Sequence, residues 1–290
     1  MIEISDEIRE KLLAFQKAEI TEYHIYSRLA LRMSGKNREV LEKIALEERR
    51  HAETWQKYTG VELLPDRLAL WYYLLLANLF GITFAIKIME KNEASTESSY
   101  GKIASSVPEA GAIMNEEEDH EKTLLGLLDE ERLRYIGSMV LGLNDALVEL
   151  TGALAGFTFA LADSRIVGVA GLITGVAATL SMGASEFLSQ RSEKGELNPL
   201  KAAIYTGITY LITVTLLVAP FFILNSVYGA LLWALGNAFF VILFFSFFLS
   251  VVKDTPFRPA FLEMAAISFG VAGASFLIGL AARMLLPIDI

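Results

Sequence analysis

The chain has 290 residues, 53% of them hydrophobic, with a net charge of −9 and no cysteine. Disulfides, thiol chemistry and cysteine-held iron–sulfur clusters are excluded, and the acidic balance leaves no footprint for nucleic acid. Charge is unevenly placed: the 134 residues before Tyr135 hold 18 of the 25 Lys and Arg and 25 of the 34 Asp and Glu, together with all three His. That break predicts two domains, residues 1–134 in water and residues 135–290 in lipid.

The first segment opens without a compact apolar core, so no cleavable signal is expected and the amino terminus stays where it is made. From Met1 to Arg134 the sequence reads as helix almost throughout. In the first helix Ile8, Leu12 and Phe15, then Tyr26 and Leu29, recur in steps of three and four, and Glu19 and Glu22 fill the core-phase places between them. The second helix runs Leu41, Ile44, Glu48, His51, Trp55, Tyr58, and the fourth runs Ile113, Glu117, His120, Leu124. Core-phase positions face a packed interior, where unpaired ionisable groups are costly.

Two Glu-x-x-His pairs in core phase have one economical explanation. Each puts a carboxylate and an imidazole on one helix face, and two such helices plus a Glu from each of two others build a two-metal centre in a four-helix bundle. The expected ligands are Glu19, Glu48, His51, Glu93, Glu117 and His120. Glu90 or Glu97 could replace Glu93 in the third helix, and Glu22 could add a ligand. His24 is out of phase and expected at the surface or behind the ligands. Mixed oxygen and imidazole ligation accepts Fe²⁺, Mn²⁺ or Zn²⁺. Leu68–Met89 is apolar enough to pass for a membrane span. Crossing there would put Glu48 and Glu117 on opposite sides of the bilayer, so it is read as the first part of one long third helix, buried between subunits, resting on the membrane domain, or half-sunk in the membrane interface.

Beyond Tyr135 come five apolar runs: Tyr135–Ala162, Ile166–Leu188, Leu200–Leu224, Val227–Val252 and Pro259–Leu286. Each suffices for a hydrocarbon core of ~30 Å, which takes roughly 20 helical residues. Seven basic residues from Arg132 to Arg258 fall on one side of these spans, against Arg165 and Arg283 on the other. The positive-inside rule puts the amino-terminal domain in the cytoplasm. Asp145, Glu149 and Glu186 lie at membrane depth, where a carboxylate is expensive unless it lines a polar path or binds a cation. Asp145 and Glu149 share a helix face, and Met182 adds a thioether ligand.

The amino-terminal pattern resembles a rubrerythrin-type ferritin-like domain, carried by Glu19, Glu48-Arg-Arg-His51, Glu93 and Glu97, and Glu117-Glu-Asp-His120. The remainder resembles the vacuolar iron transporter family, which includes yeast-type calcium and manganese transporters, through Gly142-Leu-Asn-Asp145-Ala-Leu-Val-Glu149 and Ser181-Met182-Gly-Ala-Ser-Glu186. Their order resembles the membrane-bound ferritins of prokaryotes. The resemblance implies an all-α protein, a ferritin-like four-helix bundle followed by five transmembrane helices, forming a homodimer in the cell membrane. It implies proton-coupled export of Fe²⁺, with Mn²⁺ as an alternative substrate, through a path including Asp145, Glu149, Met182 and Glu186, and a di-iron bundle that captures metal. Plain vacuolar-type transporters carry a Glu-rich insert between the second and third spans, and Gln190–Asn198 is too short for one. A membrane-anchored di-iron oxidase or peroxidase of rubrerythrin type is the alternative, and a metal sensor or scaffold the third.

Overall fold

In the computed structural model the chain is described over residues 5–97, 107–127, 131–193 and 197–285. It divides into two compact units, Met1–Glu130 and Glu131–Ile290.

In the first unit the described residues form five helices: α1 (Asp6–Ala30), α2 (Gly35–Thr59), α3 (Arg67–Phe80), α4 (Ile82–Glu97) and α5 (Glu109–Leu127). Ser5 caps α1 by accepting from the Ile8 amide, and α2 ends on Gly60 in the left-handed region, which glycine enters at no steric cost. The connection after Gly60 is pinned to α1, because Gln16 donates to the Val61 carbonyl and the Asp66 amide donates to the Thr21 hydroxyl. Asp66 then caps α3 by accepting from the Leu68 and Ala69 amides.

The single long third helix expected through Leu68–Met89 is corrected here. The chain breaks at Gly81, whose φ of 99° and ψ of 158° lie outside the reach of residues with a β-carbon. The apolar piece before the break is the 14-residue α3. At 1.5 Å per residue it spans about 21 Å, short of a ~30 Å hydrocarbon core. The bundle therefore carries five helices among the described residues, where four were expected.

Two apolar layers fill this unit. One joins Leu12 and Phe15 of α1 to Trp55 and Tyr58 of α2 and to Val107, Ala110 and Ile113. The other joins Ile25, Tyr26 and Leu29 to Leu41 and Ile44, to α3 and α4, and to Leu124 of α5. On α1, α2 and α5 alike, the ionisable residues fall between these layers in sequence, so folding sandwiches them.

The second unit begins with the one-turn α6 (Glu131–Arg134) and continues with α7 (Ile136–Leu161), α8 (Ser164–Ser192), α9 (Pro199–Ile223), α10 (Val227–Lys253) and α11 (Phe257–Leu285). The five long helices have the length and apolarity to cross a bilayer. Large apolar side chains such as Leu180, Phe240 and Ile278 point outward, two-thirds or more exposed or nearly so (70%, 66% and 69%), as a lipid-facing surface requires. This is a multi-pass membrane protein.

Side chains satisfy backbone carbonyls left open at helix ends and at a proline, as lipid demands. Pro220 inside α9 has no N–H for the Leu216 carbonyl one turn back, and the Asn237 side chain of α10 donates to that carbonyl at 2.7 Å. Ser164 at the start of α8 donates to the carbonyls of Phe221 and Leu224 at the end of α9. Helices approach closely where side chains are small. A β-carbon on Gly142 of α7 would stand 2.5 Å from the Thr206 carbonyl oxygen of α9, and one on Gly279 of α11 would strike the Gly156 backbone of α7.

Candidate metal centre and membrane carboxylates

Glu19 of α1, Glu48 and His51 of α2, and Glu117 of α5 are buried and offer ligand atoms that all lie within 4.8 Å of one another. His120 joins them from α5. Glu48 and Glu117 each serve both imidazoles. Glu117 places Oε1 2.7 Å from Nδ1 of His51 and Oε2 3.2 Å from Nδ1 of His120. Glu48 places Oε2 3.7 Å from Nδ1 of His51 and Oε1 3.3 Å from Nδ1 of His120. The rings stack at 5.9 Å between centroids, tilted by 23°. Trp55 donates its indole N–H to Glu19 at 3.0 Å, which fixes that carboxylate from the apolar layer behind it.

Several of these atoms approach one another without hydrogen-bond alignment. Glu48 Oε2, His51 Nδ1 and Glu117 Oε1 are buried and make no hydrogen bond. Stranding three such atoms beside one another is costly unless they converge on something else. Carboxylate oxygens with imidazole nitrogen make a donor set for a divalent transition metal, so the residues fit an ion.

The electrostatics point the same way. Burial pushes the Glu19 carboxyl well above its ordinary range, only partly offset by His51. Burial acts upward on Glu48 too, but the imidazoles of His120 and His51 beside it outweigh it and hold its pKa at about 2. For His51, burial opposes the charged form, yet the carboxylates of Glu117, Glu19 and Glu48 beside it raise its pKa far above normal. His120, with the same opposition between burial and the bonds to Glu117 and Glu48, is raised to about 10. Three carboxylates gathered in one buried place favour positive charge beside them, which a divalent cation supplies.

Around this core, Tyr26 of α1 donates to Glu90 of α4. Burial lifts Glu90 to about 8 against that bond, and Glu48 and Glu117 add repulsion. Glu22 is raised by burial and by repulsion from Glu48, Glu19, Glu117 and Glu90. Glu22 and Glu90 thus face the cluster. The side chains of Glu93 and Glu97 lie outside the described residues. His24 stays apart: its ring packs on Tyr23, and burial followed by repulsion from Arg28 lowers its pKa. Sequence reading passed over Glu47 and Glu116, which lie 2.7 Å from Nε2 of His120 and of His51 respectively. Each directly precedes a core-phase Glu, and that repeat of Glu-Glu-x-x-His was the available signal.

In the second unit Glu186 of α8 is 5% exposed and accepts from Ser138 of α7 at 2.7 Å and from Gln190 at 3.2 Å. Glu149 of α7 accepts from the buried Tyr210 of α9 at 3.0 Å. Asp145 lines an open groove of about 460 Å³ with Gly137, Val140, Leu141, Asn144 and Val148. Met182, one turn from Glu186, packs against the apolar core of the unit. From the level of Ser138 to Asp145 is seven residues of helix, about 10 Å, and Glu149 lies about 6 Å further. The carboxylates are strung along α7 at three levels. Ser138 and Tyr210 were missed by sequence reading, since a hydroxyl in an apolar run gives no signal until a carboxylate is placed beside it.

A family model described as the VIT family matches residues 136–198, which holds α7, α8 and the membrane carboxylates. No curated protein matches the chain.

Proposed function

We infer that the protein exports Fe²⁺ from the cytoplasm, with Mn²⁺ as an alternative substrate. In this reading the bundle captures metal and the second unit carries it across. The observation that carries it is the buried Glu19–Glu48–His51–Glu117 set, its ligand atoms convergent within 4.8 Å, in one chain with five apolar spans. The VIT-family match over α7 and α8 supports transport through that unit.

Two ions would be held by Glu19, Glu48, His51, Glu117 and His120, with Glu48 and Glu117 shared because each faces both imidazoles. Glu90, beside Tyr26, is the third-helix ligand that the described side chains favour, with Glu93 and Glu97 as alternatives and Glu22 as an addition. In the membrane, Glu186 with Met182, then Asp145, then Glu149 form the path. A carboxylate holds a metal or a proton but not both, which suits proton coupling. The amino-terminal unit faces the cytoplasm, because the short basic loops fall on its side of the spans. The working unit is a homodimer, with the groove beside Asp145 facing the same groove of a second copy.

Flux tests this reading. Vesicles of known orientation containing the whole protein should pass Fe²⁺ or Mn²⁺, and Asp145→Ala should stop it. No flux from the unaltered protein, with Asp145→Ala indistinguishable from it, rejects transport.

A second reading is a membrane-anchored di-iron oxidase or peroxidase, favoured by the tyrosine hydroxyl of Tyr26 on Glu90 beside the cluster. Rapid Fe²⁺ oxidation by the whole protein, in the absence of flux, would select it.

A further inference from the structure

We propose that Glu47 and Glu116 are positioning residues for the metal centre: each holds the ring of the opposite helix's histidine by Nε2, so that Nδ1 is presented to metal. The inference rests on the metal-centre reading above and assigns two residues that lie outside the donor set. Nε2 of His51 is 2.7 Å from Oε2 of Glu116, and Nε2 of His120 is 2.7 Å from Oε2 of Glu47. Both Nδ1 atoms meanwhile face Glu48 and Glu117.

The pairing is crossed. Glu47 lies on α2 and serves His120 of α5, while Glu116 lies on α5 and serves His51 of α2. Each faces a cation on α2: Arg50 donates to Glu116, and Lys43, one turn before Glu47, lies 3.7 Å from it. The two halves therefore repeat one chain of contacts, cation to outer carboxylate to imidazole to inner carboxylates.

The chemistry requires such a partner. A neutral imidazole carries one proton, and an acceptor fixed at Nε2 keeps that proton there and leaves the Nδ1 lone pair free. It also fixes the ring plane and makes the ligand a stronger donor. Glu47 and Glu116 are 24% and 42% exposed at their side chains, against 1% and 8% for the two histidines. They sit at the rim rather than among the converging atoms, so holding the rings is the role their placement allows.

The test uses the whole protein in detergent, labelled with ¹⁵N-histidine and loaded with Zn²⁺ as a diamagnetic probe. With three histidines in the chain the ring signals are few. Glu116→Ala should strip solvent protection from the Nε2 proton of His51 and leave that of His120, and Glu47→Ala should do the reverse. Each should weaken Zn²⁺ binding by about 10- to 100-fold. Glu116→Gln and Glu47→Gln keep an acceptor oxygen in a chain of the same shape, so they should fall between the alanine variants and the parent. Glu53→Ala, which breaks an exposed pair with Arg49, should change neither readout. Unchanged affinity and ring signals in the alanine variants, or an effect of Glu116→Ala on His120 as large as on His51, overturns the proposal alone. Failure of the parent to bind Zn²⁺ overturns the metal-centre reading and this inference with it.

Discussion

Among the described residues Nδ1 of His120 meets Glu48 and Glu117, whereas Nδ1 of His51 meets Glu19 as well. The two histidines should therefore fail differently when removed. His120→Ala should leave one metal per chain in place of two, because Glu19, Glu48, His51 and Glu117 remain. Glu48→Gln removes the negative charge that both positions share and replaces one of its two ligand oxygens with an NH2, and its loss of affinity should exceed the roughly 10–100-fold expected of an outer partner. Metal content per chain, measured after dialysis, separates the cases. Two metals retained in His120→Ala would exclude its ring from the ligand set.

Among the elements, one side-chain amide of α10 completes the backbone of α9 at Leu216. Asn237→Leu leaves the Leu216 carbonyl without a donor in an apolar region, which should cost about 1–3 kcal/mol and lower the melting temperature in detergent. Pro220→Ala restores the missing backbone N–H, so the loss should be smaller in the double variant than in Asn237→Leu alone. Equal losses with and without Pro220→Ala would show that the amide acts elsewhere. At the α7–α9 crossing, Gly142→Ala meets backbone and not a flexible side chain. It should cost about 1–3 kcal/mol of packing. Ser138 accepts the Thr206 hydroxyl through its carbonyl in the same crossing and donates its own hydroxyl to Glu186. The same substitution should therefore depress flux, read by comparing melting temperature and transport in one preparation.

At the scale of the whole molecule, capture and passage should be separable. Glu186→Gln should abolish flux while the bundle still binds metal. Glu48→Gln should slow flux at low metal and lose its effect as metal saturates the membrane path. A bundle variant that stops flux at every concentration would mean that the bundle gates the path as well as feeding it. Light scattering in detergent should give a mass of two chains, and a monomer that still transports would refute the dimer.

The sequence by itself determined the two environments and the chemistry of the buried groups. Composition changes sharply at the unit boundary, and Glu48, His51, Glu117 and His120 stand out because ionisable residues occupy positions whose helical period demands burial. Five apolar runs longer than the hydrocarbon core could be read as spans from length alone, since each helix satisfies its own backbone. Tertiary structure alone decided what depends on which surfaces meet. Gly81 looked like one more small residue in an apolar run until its backbone turned. Glu47 and Glu116 look like ordinary surface charges until α2 and α5 pack and bring each to the other's histidine. Ser138, Tyr210 and Asn237 carry no periodic signal, because one hydroxyl or amide in an apolar helix acquires a role only from the neighbouring helix. Helical period fixes the face on which a residue sits, while the partner across that face is chosen by packing between segments distant in sequence.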